Sequence, residues 1–350
     1  MLNLGFGRRF AGIALMALAL SGCAPFGPQS LRAGRPAYNE AVQQTEAQQL
    51  VLNIVRQRYN DPVMFLDVTS ISSGATRQLT TSFLGKFIPD GRNEYSPSVG
   101  ASMSETPVIF YAPNTGDKFV KQMLTPVDLR SVALVLQAGW SIERVLLLAG
   151  ESVNRLSNNG ASPEGLARFR QLADALRELQ RGGHLTFGME AAKDGPQSVI
   201  LVFAQSATSL EAYRTACTLM EVPCDGRALS LRQAFGGGGA EGARAALATR
   251  SLISAMFFLA QGVDAPEDHI RRGLVTRTAD SAVNGEHLFR VRSAASEPDA
   301  VVKVLYRGSW FYLAEDDRDP NTTFALMSLL VTLQAGDVAK VTPLISLPAG

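Results

Sequence analysis

The first 23 residues constrain the chain most, because they place two arginines, a short apolar run and a cysteine in that order. Arg8 and Arg9 occur without an acidic neighbour, and the apolar run extends from Ala11 to Leu20. As a helix rising about 1.5 Å per residue, this run spans only about 15 Å, whereas a hydrocarbon core is roughly 30 Å thick. It is therefore too short to cross a membrane and has the layout of a secretory signal peptide.

The sequence Leu20-Ser21-Gly22-Cys23 resembles the lipobox of bacterial lipoproteins, in particular Gram-negative outer-membrane lipoproteins. The resemblance implies cleavage before Cys23 and acylation of its thiol and new amine, palmitate included. Several acyl chains on one residue anchor a protein far more firmly than one chain does. Ala24 stands where inner-membrane lipoproteins of the enteric type carry Asp, so the resemblance implies anchoring on the periplasmic face of the outer membrane. The alternative is a buried first helix that ends in a cysteine.

Composition and charge limit the remaining possibilities. AVILMFWYC residues make up 46% of the chain, which favours packed globular structure over disorder. The 33 Lys and Arg nearly balance the 32 Asp and Glu, so no net field attracts nucleic acid. We expect a signal peptide (1–22), a lipidated N-terminus with a flexible tether rich in Pro and Gly (23–37), and two folded parts (38–183 and 184–350).

Hydrophobic periodicity in residues 38–183 predicts a helix, a β-hairpin and a helical block. The helix covers 38–58, and its glutamines 43, 44, 48 and 49 form either a solvated face or a partner-helix surface. The hairpin combines 63–71 with 76–88, while 94–103 is expected to be a loop or an irregular edge. Ser141 and Ser162 are expected to cap two of three helices, with Pro163 in the first helical position of the last.

Residues 184–350 predict strands around 184–190, 198–204 and 229–231, a helix over 210–220 and a buried helix from Ser251. Two or three further strands and a closing helix follow, with Asp319 as the expected N-cap. We therefore predict an α+β fold in which a three-helix layer accompanies small, mostly antiparallel sheets with covering helices.

Cys217 and Cys224 lie seven positions apart, and an oxidising periplasm allows them to form a local disulfide. A redox-active pair is the sharper alternative, although catalytic dithiols usually have C-x-x-C spacing. Two unpaired buried thiols are the other alternative.

Two motifs resemble ligand sites but match them weakly. Gly237, Gly239 and Gly242 satisfy G-x-G-x-x-G between an expected strand and an expected helix, although a tetraglycine creates this spacing by chance. Asp317, Asp319 and Asn321 match the first three ligand positions of a calcium loop, but the sixth position is Thr322 and the twelfth is Ser328. We expect no cofactor and no metal.

The sequence shows no catalytic motif. Its three histidines, at 184, 269 and 287, have no zinc-ligand spacing, and no serine has a G-x-S-x-G or S-x-x-K context. We therefore expect a protein that is not an enzyme.

Tyr306, Arg307, Trp310 and Tyr312 cluster on the last expected strands. Aromatic residues and Arg are enriched in binding hot spots, so these four residues are a candidate partner surface, with core packing as the alternative. Strand alternation places Trp310 and Tyr312 on one face and Phe311 on the other.

The sequence thus predicts a lipid-anchored outer-membrane subunit or scaffold of a cell-envelope assembly, for export, secretion or envelope maintenance. Its expected partners are the membrane, through Cys23, and envelope proteins or further copies of the chain, but not nucleic acid. An envelope hydrolase acting on peptidoglycan or polysaccharide is the alternative, and small-ligand capture is a third possibility, which requires one large apolar pocket.

Overall fold

The computed structural model describes residues 26–86, 94–159, 162–190, 198–224, 226–234, 244–275 and 288–335. The signal segment, Cys23, the tetraglycine and His287 lie outside these residues. Within the described ranges the fold is α+β, as predicted. The helices are α1 (Phe26–Arg58), α2 (Gly116–Phe119), α3 (Leu129–Gln137), α4 (Ile142–Ala149), α5 (Pro163–Arg181), α6 (Glu211–Leu219), α7 (Leu252–Ala260), α8 (Glu267–Arg271) and α9 (Arg318–Gln334).

The strands form three separate sheets. They are β1 (Leu66–Lys86), β2 (Glu94–Pro113), β3 (Gly150–Val153), β4 (Leu156–Ser157), β5 (Leu185–Glu190), β6 (Ser198–Phe203), β7 (Ala228–Gln233), β8 (Arg244–Thr249), β9 (Arg292–Ala294), β10 (Lys303–Tyr306) and β11 (Ser309–Tyr312). The largest sheet has the order β4-β3-β8-β7-β6-β5, in which only β7 and β8 are parallel. A second sheet has the order β10-β11-β9, and β1 and β2 form the third. The largest sheet joins strands from both sides of residue 183.

Local sequence explains the helical block that covers this sheet. The Ser141 and Ser162 side chains accept hydrogen bonds from the backbone N–H groups of Arg144 and Gly165, so both predicted caps are confirmed. Pro163 occupies the first turn of α5, where its missing N–H removes no helical hydrogen bond. The residues predicted to face inward on α5 are all buried: Leu166, Phe169, Leu172 and Leu176.

The core is one continuous cluster that includes residues from α1 to α9. Helix α7 packs against α1 and α4, and most of its side chains are buried, as predicted from its apolar sequence. Phe257 is an exposed apolar residue of this helix, with about half of its side chain accessible.

Three predicted elements other than the hairpin differ from the structure. Residues 26–36, expected to be an extended tether, belong to α1, which continues through Pro36 although proline removes one helical donor. The segment after the tetraglycine, expected to be helical, is strand β8, because its apolar residues Ala245–Ala248, which include Leu247, are buried between β3 and β7. Helix α9 begins two residues early, with Asp317 in the N-cap position instead of Asp319.

The predicted hairpin of 63–71 with 76–88 is wrong, because most of both segments belong to the same strand. Residues 66–86 form one continuous strand, β1, and its partner is β2, which includes residues 94–103, predicted to be a loop or an irregular edge. Gly74, near the expected turn, pairs with Thr106 inside the ladder. Glycine allows a turn without requiring one, so the small residues at 72–75 did not justify the turn predicted there.

Arg250 joins the end of α4 to the sheet. Its side chain is 5% exposed, and its Nη1 donates to the carbonyl oxygens of Leu147 (3.0 Å), Leu148 (3.1 Å) and Gly150 (2.7 Å). The last carbonyls of a helix have no partner within the helix, so a cation at this end satisfies them and also interacts favourably with the helix dipole. Burial lowers the pKa of Arg250 to about 10, which leaves it protonated at neutral pH.

Two neighbours complete this junction. The Arg250 Nη2 donates to the Asn158 carbonyl, and its guanidinium carbon lies 4.1 Å from the centre of the Phe258 ring. The Asn158 amide donates to the Leu147 and Gly150 carbonyls at 3.0 and 2.9 Å. One charged side chain therefore holds the end of α4 and the loop after β4, and it also packs against Phe258 of α7.

We predict that Arg250→Met lowers the free energy of unfolding by about 3 kcal/mol or more, because several buried carbonyls lose a charged donor. Arg155→Met is the control, since the Arg155 side chain is 78% exposed, and we expect a change within about 0.5 kcal/mol. Urea denaturation measures both. A loss at Arg250 no larger than that at Arg155 would contradict the structural role given to Arg250.

Candidate assembly surface on a β-ribbon

Strands β1 and β2 form a two-stranded ribbon that pairs with no other strand among the described residues. The antiparallel register runs from Leu66 opposite Pro113 to Lys86 opposite Glu94, with one irregularity between Val68 and Ser70. About 20 residues per strand correspond to a length of about 65 Å. The ribbon is therefore longer than an ordinary strand pair, which averages 5–6 residues in about 20 Å.

Apolar side chains are exposed where the ribbon leaves the rest of the fold. Val108, Ile109, Phe110 and Tyr111 are consecutive, and between 42% and 56% of each is exposed. Because successive strand residues point to opposite faces, apolar groups are exposed on both sides of the ribbon. Met64 and Leu66 add to the exposed apolar surface. Contiguous patches of this kind mark interaction sites more often than scattered apolar residues do.

Two amide side chains on α1 hold the start of β1. Gln49 accepts a hydrogen bond from the Leu66 N–H (2.7 Å) and donates to the Leu66 carbonyl (3.3 Å). Asn53, four residues later on the same helix face, does the same for Met64, at 2.9 and 2.7 Å. These side chains replace a neighbouring strand, because each pairs with both the donor and the acceptor of one backbone position.

One backbone hydrogen bond and one ion pair also hold the start of the ribbon, in addition to the two amide side chains. The Asn114 N–H donates to the Phe65 carbonyl (2.9 Å), and Lys118 on α2 forms an ion pair with Asp67. We call Met64–Asp67, Asn114 and Lys118 the ribbon root. Sequence reasoning placed Gln49 on a solvated or partner-helix face, because the i, i+4 spacing of Gln49 and Asn53 does not reveal that a strand lies beside them.

We predict that Asn53→Ala lowers the free energy of unfolding by about 2 kcal/mol, because it leaves both backbone groups of Met64 without partners in a site where Asn53 is fully buried. The matched control is Gln43→Ala, at an exposed position of the same helix, with an expected change below about 0.5 kcal/mol. Chemical denaturation measures both variants. Equal effects would show that Asn53 does not hold the ribbon root.

The candidate partner surface lies on the sheet β10-β11-β9. Phe311 is fully buried while Trp310 and Tyr312 are half-buried, which confirms the predicted alternation. Tyr306 and Arg307 instead bind Asp61, in the loop after α1: the Tyr306 hydroxyl donates to its carboxylate, and Arg307 Nη2 lies 2.6 Å from the same oxygen. Two of the four predicted residues therefore have partners inside the chain.

A tight turn orients these two residues. Arg307 and Gly308 connect β10 to β11, and both have positive φ angles, 50° and 81°. A two-residue turn of type I′ requires this conformation at both central positions, and glycine adopts it without steric cost. The turn brings the Arg307 guanidinium to 5.3 Å from the centre of the Tyr59 ring, near the end of α1.

Hydrogen bonds from Tyr306 and then from Arg307 lower the pKa of the Asp61 carboxyl. An acid with a lowered pKa stabilises the fold above its unfolded pKa, near about 4, and loses this contribution as the pH falls through the folded value. We predict that Asp61→Asn destabilises the protein by about 1 kcal/mol at pH 7 and by progressively less below pH 4.

Unfolding measured from pH 7 to pH 2.5 tests this prediction, with Glu40→Gln at an exposed position of α1 as the control. A difference between Asp61→Asn and the unmodified protein that stays constant across this range would contradict the ionic role of Asp61.

Cys217 is buried on α6, whereas Cys224 is exposed in the loop that follows, and both are thiols in the structure. Burial, and secondarily the neighbouring Cys224, raises the pKa of the Cys217 thiol to about 12. The Cys224 sulfur lies 3.9 Å from the Arg214 carbonyl oxygen. The two thiols are thus neighbours, and the disulfide remains a prediction.

The weak ligand motifs do not form sites in the described residues. Asp317 binds Arg292 (2.7 Å), Asp319 binds Arg144 (2.7 Å), and the Asn321 amide donates to the Ala314 carbonyl (2.8 Å), so the three calcium-like residues have separate partners. No group of three or more His, Cys, Asp or Glu within those ranges is arranged to hold a metal. The strand that follows the tetraglycine segment is parallel to β7, whereas a dinucleotide loop leads into a helix.

A cleft of about 900 Å³ lies between α4, α5 and the start of α9. Its lining contains both acidic and basic side chains, and four of them form two ion pairs. Arg144 binds Asp319, and Arg177 lies 3.8 Å from Glu143. Burial raises the pKa of Asp174 in this cleft, while Arg170 opposes that shift. The lining resembles an internal ion-pair network more than the apolar pocket that small-ligand capture requires.

Comparison of the chain with protein-family models, with curated proteins and with solved structures gave no significant match. Among the helices of the described ranges, none is both long and apolar enough to cross a bilayer.

Proposed function

We propose that this chain is a lipid-anchored subunit of a cell-envelope assembly, held on the periplasmic face of the outer membrane by acyl chains on Cys23. The β1–β2 ribbon is the observation that carries this proposal. It is about 65 Å long, its root is fixed by Gln49 and Asn53, and apolar side chains are exposed on both of its faces.

A ribbon of this kind favours a binding role because an isolated strand pair is only marginally stable in water. Both of its outer edges have backbone donors and acceptors that need partners, and such edges pair readily with other chains. The root fixes where the ribbon starts, so the rest of the protein presents it in a defined position. These features support an assembly role over the hydrolase alternative.

The lipid anchor is tested with full-length Cys23→Ser, with Ser21→Ala as a control that keeps a small residue in the lipobox. We expect the unmodified protein and Ser21→Ala in the outer-membrane fraction, each with an N-terminal peptide whose mass includes acyl chains. Cys23→Ser should lose both properties. Recovery of an unacylated N-terminus from the unmodified protein would contradict the anchoring part of the proposal.

The assembly role is tested by isolating the native protein in mild detergent, without overexpression, and measuring its mass and co-purifying proteins. We expect a complex of fixed stoichiometry, made of envelope proteins, of copies of this chain, or of both. A protein that stays monomeric under all extraction conditions would contradict the assembly role while leaving the anchor intact.

A further inference from the structure

The outer part of the ribbon is a section without charged residues. On β1, the eight residues between Arg77 and Lys86 are uncharged. On β2, the ten residues between Glu94 and Glu105 are uncharged, and the register places them opposite the section on β1. A tilted strand needs roughly 9–11 residues to cross a bilayer, so the two sections have about the length of membrane-spanning strands.

Residue types alternate along this uncharged section with the period of a strand. Because paired residues of an antiparallel ribbon lie on the same face, the register assigns each position to one of two faces. The polar face consists mainly of Ser, Thr, Gly and Gln positions, among them Thr80, Ser82, Ser98, Gly100 and Ser102. The apolar face includes Thr81 and the apolar or aromatic positions Leu79, Phe83, Tyr95, Val99 and Met103.

The described side chains of this section agree with the assignment of the polar face. Thr80, Ser82, Ser98 and Ser102 are exposed, and the hydroxyls of Ser82 and Ser98 lie 2.6 Å apart. Strands that cross a membrane alternate between lipid-facing and water-facing residues over about ten residues. The uncharged section has this pattern on both strands.

The attachment of the ribbon directs it toward the N-terminal end of α1. Gln49 binds the backbone of Leu66, whereas Asn53, one turn later on the helix, binds Met64, two residues earlier in the chain. The start of β1 is therefore antiparallel to α1. Positions 34–46 of α1 contain no buried residue, so the helix extends beyond the core in the direction in which the ribbon leaves it.

Two lengths counted from the ribbon root agree. From Gln49 back to Phe26, α1 extends about 35 Å at about 1.5 Å per residue, and Cys23 precedes Phe26 by three positions. From Leu66 to Arg77, β1 extends about 36 Å at about 3.3 Å per residue. The uncharged section thus begins at the distance from the root at which acyl chains on Cys23 would hold the membrane surface.

We propose that residues 78–85 and 95–104 of the ribbon enter the outer membrane, with the apolar face on lipid hydrocarbon and the polar face on water. This inference rests on the lipid anchor of the proposed function and adds a second contact with the same membrane. In hydrocarbon, backbone donors and acceptors have no water to bind, so the outer edges of the inserted section need further strands as partners. The ribbon therefore inserts as one part of an assembly, in agreement with a role as a subunit.

Fluorescence quenching by brominated lipids tests which face contacts hydrocarbon. Single cysteines carry a nitrobenzoxadiazole label in a full-length, acylated Cys217→Ser/Cys224→Ser background. The protein is purified as its native assembly and reconstituted into vesicles of phosphatidylethanolamine and phosphatidylglycerol. Thr80 and Thr81 are the matched pair, because they are the same residue type at neighbouring positions on opposite faces. We expect bromine to quench the labels of Thr81→Cys and Val99→Cys but not that of Thr80→Cys.

The depth of the bromine atoms distinguishes insertion from binding along the membrane surface. Thr81 lies near the middle of the section between Arg77 and Lys86. Its label should therefore be quenched more by bromine near the ends of the acyl chains than by bromine near the headgroups. Ser70→Cys, at an exposed position between the root and the uncharged section, is the control outside the membrane and should not be quenched.

A second pair of variants tests the same arrangement by adding charge. Arginine on the lipid face of a membrane strand opposes insertion, whereas arginine on the water-facing side does not. Thr81→Arg should therefore abolish the quenching at Val99→Cys, and Thr80→Arg should leave it unchanged.

Equal quenching at Thr80→Cys and Thr81→Cys, or stronger quenching by bromine near the headgroups, would overturn insertion of the ribbon with two different faces. Absence of quenching at every position, in an acylated assembly that contains other envelope proteins, would overturn insertion and leave the proposed function intact. An unacylated, solitary protein would contradict the proposed function itself.

Discussion

The buried guanidinium of Arg250 satisfies the main-chain carbonyls at the end of α4, and the arrangement of the whole body depends on it. Here a helix ends and a buried loop follows β4, so the carbonyls of Leu147, Leu148, Gly150 and Asn158 need hydrogen-bond donors in a dry environment. One planar guanidinium, which can only donate, supplies these hydrogen bonds, while the Ser251 side chain accepts from the Ser254 N–H at the start of α7. Because β3 follows α4 directly and β8 precedes Arg250, this junction also sets the register between both halves of the central sheet.

At the ribbon root, uncharged amide side chains satisfy the main-chain donors and acceptors that no strand pairs with. Gln49 and Asn53 pair with the backbone of Leu66 and Met64, so the strand leaves the body with its first hydrogen-bonding groups satisfied. Beyond the root, β1 and β2 pair with each other and with no further strand among the described residues. The body contains a six-stranded sheet and one continuous core, whereas the ribbon has the hydrogen-bonding requirements of an unfinished sheet. This difference connects the fold to the proposed assembly role.

Sequence reasoning located the parts that are determined locally. The caps Ser141 and Ser162 and the inward stripe of α5 were predicted because side chains near in sequence determine them. The length of β1 was missed because only the pairing of Gly74 with Thr106, 32 positions away, distinguishes a strand from a turn. Strand β8 was missed because its alanines favour a helix in isolation, and burial between two strands overrides that preference.

For the candidate partner surface, the sequence predicted the alternation of Trp310 and Phe311. It did not predict the hydrogen bonds from Tyr306 and Arg307 to Asp61, because these bonds join distant segments.

The central claim is that the body folds by itself and that the ribbon becomes stable through assembly. Hydrogen–deuterium exchange of the full-length protein, compared between assembled and diluted samples in detergent, tests this claim most directly. Amides of β7 and β8 should be equally protected in both samples, while amides of β1 should be protected only in the assembled one. Strong protection of β1 in the diluted monomer would contradict the account, because it would show that the two-stranded ribbon needs no partner.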